Sequence, residues 1–369
     1  MTKVPFISLK EQHRAIRGEV RRALDRVFDS QQFILKGAMA ELEAKVARFT
    51  GTKFAVSVAS GSDALYLALW ALGVKPGDEV LTTPFTFFAS ASSISRLGAK
   101  PVFADIDEET FNIDPSKLEA KITKRTKAVL PVHLFGLCCD MERINRIARR
   151  HGLKVVEDAA QAFGSTFRGR RAGALADAGC FSFYPTKNFG GAGDGGMVTT
   201  SLPAVAEKIR LLRNHGSEEK YHHHLIGINS RLDEVQAAVL LVKFKHIEKW
   251  NRQRQAHARF YDAALRGLPV RTPSAPSGFG HTYHLYSILV NDREALKAFL
   301  EKRGIGTAVH YPLPLHLQAC YKGLGYRKGD LPVSESVSKQ ILSLPMYPEL
   351  SAKSRALIVS AVRAFYGRK

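Results

Sequence analysis

Between Phe54 and about residue 200, short runs of β-branched and apolar residues alternate with segments of helical length, and no other feature restricts the chain as strongly. Parallel strands cannot be joined by a tight turn, so each crossover needs a helix-sized connection. A repeated strand–helix pattern therefore reads as an α/β unit with a mainly parallel sheet. Strands are expected at Phe54–Val58, Glu79–Thr82, 101–104, 128–132 and 154–156, with a further apolar run, Cys-Phe-Ser-Phe-Tyr, at 180–184. Upstream, Ile16, Val20, Leu24, Val27 and Phe28 mark one face of an amphipathic helix that would pack as an N-terminal arm. Downstream, 231–250 reads as one long helix, with Leu232, Val235, Val239 and Val242 at helical spacing, linking two domains. A proline-containing stretch at 268–280 then leads into a strand at 283–290. The expected division is an arm and large domain over 1–245 and a small C-terminal α/β domain over 246–369.

A length of 369 residues with 45% hydrophobic and 24% charged side chains fits about two ordinary globular domains. The N-terminus has no apolar core or small-residue cleavage site of a signal peptide, so a cytoplasmic protein is expected. The most apolar stretches, 64–74 and 128–139, are shorter than the roughly 18 residues that would span a bilayer. Four cysteines without CxxC spacing read as reduced core residues. The net charge of +20 raises the question of nucleic acid. Its clusters, 149–150 and 168–171, lie among turn residues without a basic helix or aromatic platform. A phosphate-bearing small substrate suits the excess and no nucleic-acid partner is expected.

Lys187 follows the apolar run through Pro185-Thr186 and precedes the glycine-rich segment 190–196. An amine beside apolar walls loses hydration of its ammonium, which lowers its pKa and leaves more neutral amine to attack a carbonyl. The glycines would let a large planar cofactor approach the backbone. Most lysines are solvated, so Lys187 gains meaning only from Asp158, Ser60 and Phe88. Asp158 stands past an apolar strand, at the edge where open α/β sheets bind ligands, and a buried carboxylate there would hold a pyridine nitrogen protonated. Taken alone, its spacing with Gln161 reads first as a helix cap. Ser60-Gly61-Ser62-Asp63 opens the helix after the first strand, either as an anion-binding end or as a capping box. The segment 84–90, Pro-Phe-Thr-Phe-Phe-Ala-Ser, offers either an aromatic stacking face or core packing.

Three further patterns point elsewhere. Residues 191–196 match GxGxxG, but 197–200 read as strand and not helix, which rejects a dinucleotide fingerprint. Asp105-Ile106-Asp107 has the DxD form of a metal-dependent sugar-nucleotide glycosyltransferase, but such a pattern more often marks a strand end and turn. His222-His223-His224 are adjacent, and adjacent side chains converge on one ion only in a defined loop, so no metal is expected.

Together these segments resemble the DegT/DnrJ/EryC1/StrS family of pyridoxal-phosphate-dependent sugar aminotransferases. The likeness runs from Val4-Pro5-Phe6 through 60–65, 86–90, 157–164 and 182–196 to Asn229-Ser230-Arg231-Leu232-Asp233. It continues at Val309-His310-Tyr311-Pro312 and 342–348. The resemblance implies the aspartate aminotransferase type (fold type I) architecture and a homodimer with shared active sites. It implies that Lys187 holds pyridoxal 5'-phosphate (PLP) covalently and shuttles a proton. Asp158 would pair with the pyridine nitrogen, Gln161 with the ring hydroxyl and Phe88 with the ring face. Ser60, Gly61, Ser62 and Ser182 would bind the phosphate, with Asn229 reaching over from the partner subunit, and His310 and Tyr311 would line the sugar site.

The implied reaction moves an amino group, from glutamate, to a keto carbon of a nucleotide-linked sugar in two half-reactions through pyridoxamine phosphate (PMP). The Val4–Leu9 opening and the His310-Tyr311-Pro312 segment look more like the branch that aminates C3 than the C4 branch. Another keto substrate, such as a cyclitol, is the alternative within the fold. Two departures stand out: Lys36 replaces the usual glycine after Ile34-Leu35, and Ser62 replaces a commoner threonine while keeping the hydroxyl.

Overall fold

The computed structural model describes residues 3–219 and 221–367. Helices α1 (Lys10–Ser30) and α2 (Gly37–Thr50) lead into strands β1 (Phe54–Val58), β2 (Glu79–Thr82), β3 (Lys100–Phe103), β4 (Thr126–Leu130) and β5 (Lys154–Asp158). These alternate with α3 (Gly61–Ala71), α4 (Ala89–Arg96) and α5 (Met141–Arg150). A short hairpin, β6 (Thr166–Phe167) and β7 (Arg170–Arg171), precedes β8 (Ala178–Ser182) and β9 (Gly196–Thr200). Seven strands form one sheet in the order β1-β9-β8-β5-β4-β2-β3, in which both neighbours of β9 run antiparallel to it and every other pair is parallel. Both faces are covered. Val80, Ala128, Leu130 and Val156 enter one core while their neighbours Leu81, Val129 and Val155 enter the other, as the two-residue period of a strand requires.

Helix α1 buries Ile16, Val20, Ala23 and Val27 along one stripe against the core. Phe28, expected on that face, is exposed and meets Phe33 edge-on at 5.8 Å. One residue past Val27 is about 100° further round the helix, which carries its ring off the stripe.

After α6 (Pro203–Leu212), the expected single helix over 231–250 is two: α7 (Glu234–Phe244) and α8 (Ile247–Leu265). The chain tightens between them, with Lys245 and His246 donating backbone hydrogen bonds to Val242 and Lys243. The physical reason is divided burial. Ile247 and Trp250 pack in the large core with α7, whereas Ala258, Tyr261 and Leu265 pack in the carboxy-terminal core. That second core gathers around β11 (Tyr286–Leu289) and β12 (Ile341–Leu344), an antiparallel pair, together with α9 (Arg293–Glu301) and α11 (Ala352–Tyr366). Strand β10 (Phe279–Gly280) pairs with β6, and α10 (Pro332–Gln340) runs directly into β12. The second core also takes in Val4, whose backbone bonds Gly304 and Gly306 at 2.8 Å. The start of the arm thus packs on the carboxy-terminal part of the molecule. Among the described residues no helix is long and apolar enough to cross a membrane.

Candidate active site

Strands β1, β5 and β8 point the same way, and the residues beyond their carboxyl ends surround a cavity of about 550 Å³. The edge of the sheet thereby brings together Ser60, Gly61, Ser62, Asp158, Gln161, Ser182 and Lys187, with His310 and Tyr311 arriving from the carboxy-terminal part.

At one end lies the start of α3. Ser60 Oγ accepts from the Asp63 amide at 3.1 Å as an N-cap, while the Asp63 carboxylate accepts from Ser230 Oγ and Arg96 instead of closing a capping box, and the Ser60 hydroxyl hydrogen stays free to donate. The amides of the first turn remain without helical partners, as at any helix N-terminus. A Cβ on Gly61 would lie 2.6 Å from Ser182 Cβ, so only glycine lets β8 come this close. Amides, three serine hydroxyls and a helix dipole form an anion cradle that could hold a phosphate monoester.

No helix follows Asp158, which removes the helix-cap reading of Asp158 and Gln161. Asp158 Oδ1 accepts from the Ala160 amide at 3.2 Å and Oδ2 from Ser90 Oγ at 2.6 Å. Burial raises its pKa, opposed by those hydrogen bonds and by the Lys187 charge. A buried carboxylate of this kind fits a protonated ring nitrogen, which would supply the opposite charge. Gln161 accepts from the Phe135 amide at 2.8 Å and donates to Tyr311 Oη at 3.0 Å, which fixes its amide and leaves one N–H for a ring hydroxyl. Burial raises the Tyr311 pKa, so its hydroxyl stays protonated.

Lys187 is part-buried, and desolvation lowers its amine pKa to about 8 despite the opposing charge of Asp158. Two histidines line the same space. Burial, then the Lys187 charge, pushes His310 down to about 4, and burial pushes His284 well below its ordinary value, so both are neutral at pH 7. The glycine segment does not serve the cavity as expected. Cβ atoms on Gly190 and Gly191 would strike Pro185 O at 2.5 Å and Gln236 Oε1 at 2.9 Å, so these glycines fold the loop onto its own neighbours. Helix α7 clamps that loop: Gln236 accepts from Ala192 N at 2.8 Å, and Lys243 Nζ donates to Gly190 O at 2.7 Å. Of the loop, Asp194 reaches the cavity.

One expected residue lies elsewhere, and another was expected only from the partner subunit. Phe88 caps α4 in helical conformation and turns its ring to Tyr321 at 5.8 Å, outside the cavity, while Phe87 lines it. The phase of the turn before α4 decides which ring of the sequence triplet faces the cavity. Asn229 is exposed and does not line the cavity of its own chain. Thr86, Tyr184 and His284 line it without having been singled out. Only adjacency to named segments marks the first two, and His284 carries no local signal.

The metal readings fail on geometry. Asp105 accepts from the amides of Val333 and Ser334 at 2.9 and 3.0 Å and from the Ser334 hydroxyl, capping α10, while Asp107 folds its own turn through Glu109 and Thr110. His222, His223 and His224 are exposed, and among the described residues no group of three or more His, Cys, Asp or Glu side chains is placed to hold a metal.

A mainly parallel seven-stranded sheet carrying a desolvated lysine, a buried carboxylate and a phosphate cradle on one edge defines the class of fold type I PLP-dependent transferases. The sequence narrows the class. Residues 14–363 match the DegT/DnrJ/EryC1/StrS aminotransferase family, and the chain belongs to it. It is 50% identical to a pleiotropic regulatory protein of Geobacillus stearothermophilus and 43% identical to UDP-N-acetyl-3-dehydro-alpha-D-glucosamine 3-aminotransferase of Acidithiobacillus ferrooxidans, each over 98% of both chains. The X-ray structure of DesV from S. venezuelae in complex with a ketimine intermediate superposes with a TM-score of 0.98, at 44% identity and full coverage of both chains.

Proposed function

We propose that the protein transfers an amino group from glutamate to a keto carbon, C3, of a nucleotide-linked sugar, with PMP holding the nitrogen between the two half-reactions. The observation that carries this reading is the Lys187 amine, its pKa lowered to about 8, in one cavity with buried Asp158 and the anion cradle of α3. PLP, when bound, supplies an electron sink that weakens a C–H bond next to nitrogen. The chain's residues do the rest. The cradle at Ser60, Gly61, Ser62 and Ser182 anchors the phosphate, Phe87 covers the ring, Gln161 donates to its hydroxyl and Asp158 pairs with its nitrogen. Lys187 Nζ takes the proton from one reacting carbon and returns it to another.

Neutral His310 and protonated Tyr311 face the same space and would orient sugar hydroxyls. The C3 assignment draws on the Acidithiobacillus relative, a 3-aminotransferase by name, and on the His310-Tyr311-Pro312 segment. A homodimer is part of the reading. Ile226 is 91% exposed three residues from Asn229, which is unusual for an isoleucine facing water and expected of one under a second subunit that receives Asn229. The large domain would end near 245 and the small one begin there, with α8 shared by both cores.

The test is a panel of 3-keto and 4-keto nucleotide sugars and keto-cyclitols, with glutamate as donor and Lys187→Ala as control. Lysine-dependent amination of a 3-keto sugar is expected. Amination of a 4-keto sugar alone would overturn C3, and turnover by Lys187→Ala would overturn the role of the amine.

A further inference from the structure

Asp158 does not hold its orientation alone. Ser90, on the first turn of α4, donates to Asp158 Oδ2 at 2.6 Å, and Ser90 Oγ lies 3.0 Å from Thr86 Oγ1. All three side chains are buried. The order of the protons follows from valence. An ionised carboxylate only accepts, so the single Ser90 hydroxyl hydrogen goes to Asp158, and Thr86 must donate to Ser90. The Asp158 backbone is equally constrained, its N–H donating to Pro131 O at 2.9 Å and its carbonyl accepting from His133 N at 3.0 Å. A buried O–H donor on a carboxylate is among the stronger hydrogen bonds, and a second hydroxyl behind it polarises the first.

We infer that the Thr86–Ser90 hydroxyl chain is a positioning device for Asp158, keeping its carboxylate ionised and aimed into the cavity, and so sets how tightly the ring nitrogen of PLP is held. This rests on the aminotransferase reading of the site. Lys187, His133, Tyr311, Cys139 and Cys180 also act electrostatically on or with Asp158, but none of them donates a hydrogen bond to its carboxylate. Removing Ser90 Oγ leaves the Ala160 amide as the remaining donor against burial. No feature of the sequence marks Ser90 for this task, because it acts across 68 residues of chain.

The test compares PLP with 1-deaza-PLP, in which a C–H replaces the ring nitrogen, by equilibrium titration of wild type, Ser90→Ala and Thr86→Val. Ser90→Ala should weaken PLP about tenfold or more, and Thr86→Val, one bond removed, about threefold. Both should bind the deaza compound within about twofold of wild type, because that ligand makes no ion pair with Asp158. Equal losses for both ligands would show a merely structural role, and unchanged PLP affinity would show an idle chain. Either result overturns the inference while the cofactor site stands. Failure of the wild type to bind PLP would overturn the parent reading as well. Thr86→Val, which nearly keeps the side-chain shape, carries the same comparison if Ser90→Ala does not fold.

Discussion

Lys187 should react as an amine whose pKa is about 8, against an ordinary value of 10.5. At about pH 7.5 the neutral fraction then rises from about one in a thousand to about one in four, a gain of roughly 240-fold in the form that attacks a carbonyl. Trace acetylation of the cofactor-free protein with acetic anhydride, followed by peptide mass spectrometry with exposed Lys53 as reference, reads that fraction directly. Labelling of Lys187 should level off above about pH 8. The Asp158 charge raises the Lys187 pKa, so Asp158→Asn should move the plateau to lower pH. The sign for stability follows from proton counting. Between about 8 and 10.5 the unfolded chain binds more protons at this lysine than the folded one, so its contribution to stability rises with pH. The deficit of wild type relative to Lys187→Met should shrink by about 3 kcal/mol across that window in denaturant unfolding. Labelling that keeps climbing tenfold per pH unit through pH 9 would refute the argument, because burial would then not be discharging the amine.

Phe87→Ala should weaken PLP binding about tenfold by equilibrium titration, while Phe88→Ala should change it by less than twofold, since one ring lines the cavity and the other packs on Tyr321. Gly61→Ala should lower PLP affinity by about tenfold or more, because its Cβ must push Ser182 out of the cradle. Asp105→Ala should cost about 2–3 kcal/mol in unfolding free energy by uncapping α10, and EDTA should leave turnover of the wild type unchanged. A loss of activity on chelation would instead revive a metal role.

Much of this was legible along the chain because the signals are local. Strands β1 and β2 fall where alternating apolar runs predict them, and β3, β4 and β5 are displaced or extended by two residues at most. The start of α3 announces itself by Ser60 and Asp63. Lys187 and Asp158 are conspicuous because a strand end followed by a polar residue is a local pattern with a global meaning in α/β sheets. The resemblance to a family named residues that spacing alone left between two readings, among them Phe88, whose ring packs on Tyr321 outside the cavity that Phe87 lines.

What escaped the sequence depends on packing between distant segments. Whether Phe87 or Phe88 faces the cavity is set by the phase at which α4 begins. The break between α7 and α8 carries no glycine or proline and arises because two separate cores compete for one helical stretch. The glycines after Lys187 look made for a cofactor and instead accommodate Gln236 and the strand-end carbonyls. His284 and the Thr86–Ser90 chain enter the site only through contacts across the fold. The sequence by itself determined most element types and the α/β sheet class, since these follow from periodicity, and it marked Lys187 only as a candidate amine. Tertiary structure decided which faces, hydroxyls and rings meet in the cavity, because burial, which shifts the pKa values and orients the hydrogen bonds, exists only once separate strands have closed around it.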